Sequence, residues 1–175
     1  MNETLVITGA QLLGAESADI MIEDGRIAEI GTGLTRSGAR VIDAAGLVAL
    51  PGLVDLHTHL REPGYEASET ILTGTRAAAA GGFTAVFAMP NTSPVADTAG
   101  VVEQELALGE AAGFVHVQPI GAVTVGQKGE RLAELGAMAS SRAHVRVFSD
   151  DGFCVWDPLI MRRALEYVKA FDGVI

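Results

Sequence analysis

Residues 77–88 read Ala77-Ala78-Ala79-Ala80-Gly81-Gly82-Phe83-Thr84-Ala85-Val86-Phe87-Ala88, and the six from Phe83 onward form an almost uninterrupted apolar run. A strand with one face in water alternates polar and apolar residues, whereas a parallel strand covered by helices on both faces does not. The run therefore predicts an internal parallel strand, with the alanine-rich stretch as the end of a preceding helix and the glycine pair as the link. Outward from it, the same rhythm of apolar strand, glycine or polar loop and helical segment recurs about every 30 residues after Pro51. Strands are predicted at about 52–56, 83–88, 115–120 and 144–148, and helices at about 67–80, 98–112, 129–138 and 158–171. Such a succession is the signature of an α/β fold with parallel strands. Four βα units over 51–175 make half of a (β/α)8 TIM-type barrel, and four such strands by themselves leave apolar surface uncovered.

The first 50 residues have a different texture. Short β-type runs, Thr4-Leu5-Val6-Ile7, Ile20-Met21-Ile22, Ile27-Ala28-Glu29-Ile30 and Val41-Ile42-Asp43, are punctuated by Gly9, Gly14, Asp24-Gly25 and Gly31. They predict a small β unit over 1–50. Asp24-Gly25 fits a two-residue hairpin, because both residues tolerate the positive φ of a type I′ turn.

Composition narrows the function classes. With 49% hydrophobic and 19% charged residues, the chain has globular composition. A net charge of −10, from 12 basic and 22 acidic residues, argues against nucleic acid or an anionic membrane surface as the main partner. A small anionic substrate needs only a local basic site. Cys154 is the only cysteine, so no intramolecular disulfide forms, and a reducing compartment, the cytoplasm, is expected. Cys154 itself is expected to pack rather than react. The start, MNETLVITGAQLLG, lacks the basic-then-apolar pattern of a secretory signal, and no apolar stretch reaches the roughly 20 residues that cross a bilayer.

The chemistry gathers at predicted strand ends. His57 and His59 flank Thr58 at the end of the first barrel strand, and residues i and i+2 of a strand point the same way, so both imidazoles can converge on one metal ion. A bare His-x-His is weak; its surroundings strengthen it. Arg61 follows two residues later and offers a planar fork that grips a carboxylate bidentately. After the second strand, Pro90 and Pro94 stiffen a loop that carries Asn91, whose amide both donates and accepts. The fourth strand ends in Ser149-Asp150-Asp151-Gly152, and a carboxylate there can bridge two zinc ions. His116 and His144 stand near predicted strand starts, at the opposite end, and are read as structural.

In combination and in this order, Pro51-Gly52-Leu53-Val54-Asp55-Leu56-His57-Thr58-His59-Leu60-Arg61-Glu62-Pro63-Gly64, Ala77 to Thr84, Met89-Pro90-Asn91-Thr92-Ser93-Pro94 and Ser149-Asp150-Asp151-Gly152 resemble the amidohydrolase superfamily. Within it they are similar to the dihydroorotases that carry an aspartate metal ligand on the fourth strand. The resemblance implies a zinc-dependent hydrolase of cyclic amides that interconverts N-carbamoyl-L-aspartate and (S)-dihydroorotate in pyrimidine biosynthesis, with two zinc ions per site. It implies that His57, His59 and Asp151 bind metal, with Asp150 as the alternative to Asp151, and that His59, Arg61 and Asn91 hold substrate. Residues 1–50 then resemble part of the family's composite β-sandwich. The family's later two histidines and its general acid, an aspartate, would lie beyond Ile175, so the 175 residues are expected to be a fragment that is inactive alone. A homodimer or association with aspartate transcarbamoylase is consistent with the family. The competing readings are a non-catalytic dihydroorotase-like subunit that supports aspartate transcarbamoylase, and an allantoinase or hydantoinase. The latter are disfavoured because they generally carry a lysine where this chain has Asp151.

Overall fold

A computed structural model describes residues 4–175, which divide into one unit ending at Pro51 and another running from Gly52 to Ile175. In the first, β1 (Thr4–Leu12), β2 (Ser17–Glu23), β3 (Arg26–Gly31), β4 (Arg40–Asp43) and β5 (Val48–Ala49) form one mixed sheet in the order β3-β2-β1-β4, with β5 also on β1. β2 lies antiparallel to β1 and β3, while β4 and β5 run parallel to β1. The β2–β3 hairpin closes at Asp24 (φ 52°) and Gly25 (φ 73°), the two positive φ values that a type I′ turn requires. Asp19 ties the sheet to the following loop: its carboxylate accepts from Gly9 N at 2.8 Å and Leu34 N at 3.0 Å, and these donors hold its pKa below the usual carboxylate range. The expected β-sandwich is represented among the described residues by this single sheet, and Ile27, Ile30, Val41 and Val48 on it are exposed.

The second unit alternates strand and helix: β6 (Leu53–Thr58), α1 (Ile71–Ala80), β7 (Phe83–Ala88), α2 (Ala99–Ala112), β8 (His116–Pro119), α3 (Leu135–Ser140) and α4 (Pro158–Val168). Its strands form a parallel sheet in the order β6-β7-β8. Local chemistry sets the helix ends. Thr70 caps α1 by accepting from Thr73 N, with the reciprocal bond from Thr70 N to Thr73 Oγ1, so the helix starts at Ile71 and not near 67. α2 ends on Gly113 in the left-handed conformation, and α4 starts with Asp157 as cap and Pro158 in the first turn. α3 is shorter and later than the expected 129–138, because residues 125–134 fold back on themselves through Val125 N to Arg131 O and Ala133 N to Val123 O.

The strand expected at 144–148 is absent as a regular element. Its first amides are spent locally, His144 N on Ser141 O and Val145 N on Met138 O, and His144 has a positive φ of 47°. What remains is an extended segment with two isolated parallel bridges, Gly121 to Phe148 and Val147 to Val174. Gly121 allows the first: a Cβ there would lie 2.9 Å from both Met138 Sδ and the Phe148 ring. Phe148, Val145, Met138, Leu135, Val102 and Ala164 are buried together, so this segment is anchored by its side chains. A second cluster, Ile71, Val86, Ala88, Val117 and Leu60, joins α1 to the sheet. Among the described residues no helix is long and apolar enough to cross a membrane.

Glu105 of α2 is fully buried, with Oε1 at 3.4 Å from Thr92 Oγ1 and Oε2 without a partner. Desolvation pushes its pKa well above the ordinary value, so the folded state holds a proton that the unfolded chain releases near pH 4.5. Between those two pKa values the native state binds more protons than the unfolded state, so this group makes stability fall as pH rises. Glu105→Gln, an uncharged isostere, is expected to flatten that fall and to raise stability at neutral and alkaline pH. Urea unfolding at a series of pH values checks this; parallel curves for variant and wild type would refute it.

Candidate metal centre

The centre is built where the chain leaves β6, β7 and the extended segment after α3. β6 delivers His57 within the strand and His59 just beyond it. Its exit is pinned to β7, because Thr58 Oγ1 donates to Phe87 O and Met89 N donates to Thr58 O, both at 2.8 Å. Within β6 itself, the Asp55 carboxylate accepts from His57 N at 3.0 Å. Beyond it, Gly64 adopts φ 101° and packs so closely that a Cβ would stand 2.3 Å from Ser93 O, while Ser93 N donates to Pro63 O at 2.9 Å. The loops after β6 and β7 are therefore fastened together, and the second of them carries Asn91.

His57, His59 and Asp151 bring ligand atoms within 4.8 Å of one another, and they are the one such group of metal-ligating side chains among the described residues. His57 Nε2 lies 3.2 Å from Asp151 Oδ1 and His59 Nε2 lies 3.5 Å from Asp151 Oδ2. Zinc binds imidazole nitrogen and carboxylate oxygen at about 2.0–2.1 Å, so tetrahedral ligand atoms stand roughly 3.3 Å apart, and both separations fit. The donor set, two imidazoles and a carboxylate, also suits that ion. His57, whose side chain is 57% exposed, has room to adjust, whereas Asp151 at 16% is held.

Asn91 joins two members of the group. Its Oδ1 lies 3.0 Å from His59 Nδ1, and its Nδ2 donates to Asp151 Oδ2 at 3.2 Å. The amide expected to face substrate thus has one acceptor and one donor position committed to candidate ligands, with a second N–H and a second lone pair left over. Arg61 is exposed with φ 63°. Glu62 turns away from it to accept from Ile71 N at 2.8 Å, capping α1.

The two neighbouring aspartates diverge. Asp150 is 5% exposed, and its Oδ1 accepts from Val123 N at 2.8 Å and Thr124 N at 3.0 Å. Thr124 Oγ1 donates to Oδ2 and accepts from Gly129 N at 2.9 Å. This carboxylate is consumed in tying the loop after β8 to the loop that presents Asp151. Consecutive residues of an extended segment point to opposite sides, a signal that separates the pair without saying which side holds the metal. The loop-binding role of Asp150 and the capping role of Glu62 had no such local signal. His116, at the start of β8, and His144 are both exposed and belong to no metal-ligating group among the described residues. Cys154, expected to pack, is exposed in the loop after Gly152.

A family model described as "Dihydro-orotase-like" matches residues 46–175. The chain is 76% identical to a dihydroorotase of Leifsonia xyli over 99% of its length and 40% of the relative's. It is 56% identical to a dihydroorotase of Mycobacterium tuberculosis over 98% of its length and 40% of that protein's. It therefore spans about 40% of the length of these curated relatives. Among solved structures, an L-hydantoinase from Arthrobacter aurescens superposes with a TM-score of 0.82, covering 100% of this chain and 40% of that one at 23% identity, a likeness of fold.

Proposed function

The chain belongs to the dihydro-orotase-like family, and from that membership we propose that the protein is a zinc-dependent dihydroorotase of the cytoplasm, which reversibly cyclises N-carbamoyl-L-aspartate to (S)-dihydroorotate for pyrimidine synthesis. The observation that carries the reading is the convergence of His57, His59 and Asp151 within 4.8 Å. In this reading residues 51–175 supply the first four βα units of a TIM-type barrel, the extended segment before Ser149 standing in the place of the fourth strand. Residues 1–50 supply part of a composite β-sandwich.

His57 and His59 would hold zinc through Nε2, and the Asp151 carboxylate, whose oxygens face both histidines, would be the third protein ligand. Bound zinc polarises a carbonyl and lowers the pKa of water, which is the chemistry that opening a cyclic amide needs. The chain's own side chains do the rest of the recognition. The Arg61 guanidinium grips the α-carboxylate that both substrate and product carry, and its planar fork fixes the orientation of the ring. The remaining N–H of Asn91 donates to the same carboxylate from the neighbouring loop. The backbone near His59 would complete the contacts to the substrate.

The test is zinc content and dihydroorotate ring opening in the protein produced from its own open reading frame. Arg61→Ala is expected to raise KM for dihydroorotate by roughly 10- to 150-fold, the worth of a hydrogen-bonded charge pair of about 1.5–3 kcal/mol, with zinc content unchanged. Turnover of hydantoin in place of dihydroorotate, or indifference to Arg61→Ala, would overturn the reading.

A further inference from the structure

We propose that Asn91 is a positioning residue of the metal centre, its one amide orienting His59 and Asp151 together; this rests on the metal reading given above. A neutral imidazole has one N–H and one lone pair, and whichever nitrogen carries the proton cannot ligate. His59 Nε2 faces Asp151, so ligation there needs the proton on Nδ1. Nδ1 stands 3.0 Å from Asn91 Oδ1, a carbonyl oxygen that only accepts, so Nδ1 donates and the lone pair of Nε2 is freed for metal. The opposite amide orientation is excluded on chemical grounds. It would set the carbonyl oxygen against Asp151 Oδ2, where Nδ2 now donates at 3.2 Å. That same oxygen is the one facing His59 Nε2, at 3.5 Å, so the three side chains close a ring of contacts.

The frame behind Asn91 is stiff enough for this work. Thr92 Oγ1 donates to Pro94 O at 2.8 Å, Ala96 N donates to Pro90 O at 3.0 Å, and Ser93 N reaches across to Pro63 O. Asn91 is therefore presented by backbone bonds within its own loop and to the loop after His59, and its amide reports the position of one ligand to the other. His57, by contrast, sits outside the ring.

The experiment is a zinc titration of metal-free protein, without substrate, by competition with a chromophoric chelator, on wild type, Asn91→Ala and Asn91→Ser. Both variants are expected to bind zinc 10- to 100-fold more weakly, the usual effect of losing an outer partner of a metal ligand. The thermal midpoint of the metal-free protein should stay in place, and the visible spectrum of the cobalt-substituted form should shift. Unchanged affinity with a raised KM would leave Asn91 as a substrate contact and overturn the proposal. So would a loss of affinity that comes with collapse of the metal-free fold in both variants, since that assigns Asn91 to holding its loop. Wild-type protein that binds no zinc would be recognisable separately, as failure of the metal reading and of this inference with it.

Discussion

Asp151→Ala is expected to strip the protein of zinc while leaving the metal-free fold almost as stable as before. Its carboxylate is the member of the group that faces both histidines, 3.2 Å from His57 Nε2 and 3.5 Å from His59 Nε2. Losing an outer partner of a ligand typically costs 10- to 100-fold in affinity, and losing a ligand should exceed that, so weakening beyond about 100-fold is expected. The fold should tolerate the change because the side chain is partly open to solvent, and the groups it leaves, Asn91 Nδ2 and two accessible imidazoles, can turn to water. Zinc analysis and a thermal scan of metal-free protein check both halves. Zinc retained at wild-type affinity would remove Asp151 from the centre.

One residue earlier the signature inverts. Asp150→Ala should destabilise the second unit by several kcal/mol, since each buried donor left unsatisfied costs about 1–3 kcal/mol. Val123 N, Thr124 N and Thr124 Oγ1 would be left without their acceptor in a buried site. Against a total stability of roughly 5–15 kcal/mol that is enough to populate unfolded protein. Asp150→Asn keeps one acceptor oxygen and should cost less. Urea unfolding of metal-free protein reads the difference directly, and a loss under about 1 kcal/mol for the alanine variant would show that the three bonds contribute little net stability.

The local pattern carried much of the molecule. The apolar run Phe83 to Ala88 is the central strand of its sheet, Asp24-Gly25 is the positive-φ turn, and the helix expected at about 98–112 is α2 over Ala99–Ala112. These features depend on residues within a few positions of one another, where propensity and side-chain period act. The segment before Ser149 shows the limit. Val145, Val147 and Phe148 have strand-forming side chains, yet backbone bonds from Val145 to Met138 and from His144 to Ser141 take the amides a ladder would use. Strand propensity lost there to backbone turns three and seven residues back, as the expected helix start before α3 did to bonds spanning six and ten residues. Cys154 shows the same limit from the other side, since its exposure depends on the course of a loop.

The sequence by itself determined that strands and helices alternate after Pro51, that two histidines share one side of a strand end, and that two acids follow a later apolar segment. Those are properties of period and spacing. Only the tertiary structure decided which acid meets the histidines and what Asn91 touches. The deciding hydrogen bonds join residues far apart in the chain: Asp150 reaches Val123 across 27 positions, and Asn91 reaches Asp151 across 60. A carboxylate's role follows from the donors that surround it in space, and no local pattern specifies which backbone amides, presented by another loop, will be there to meet it.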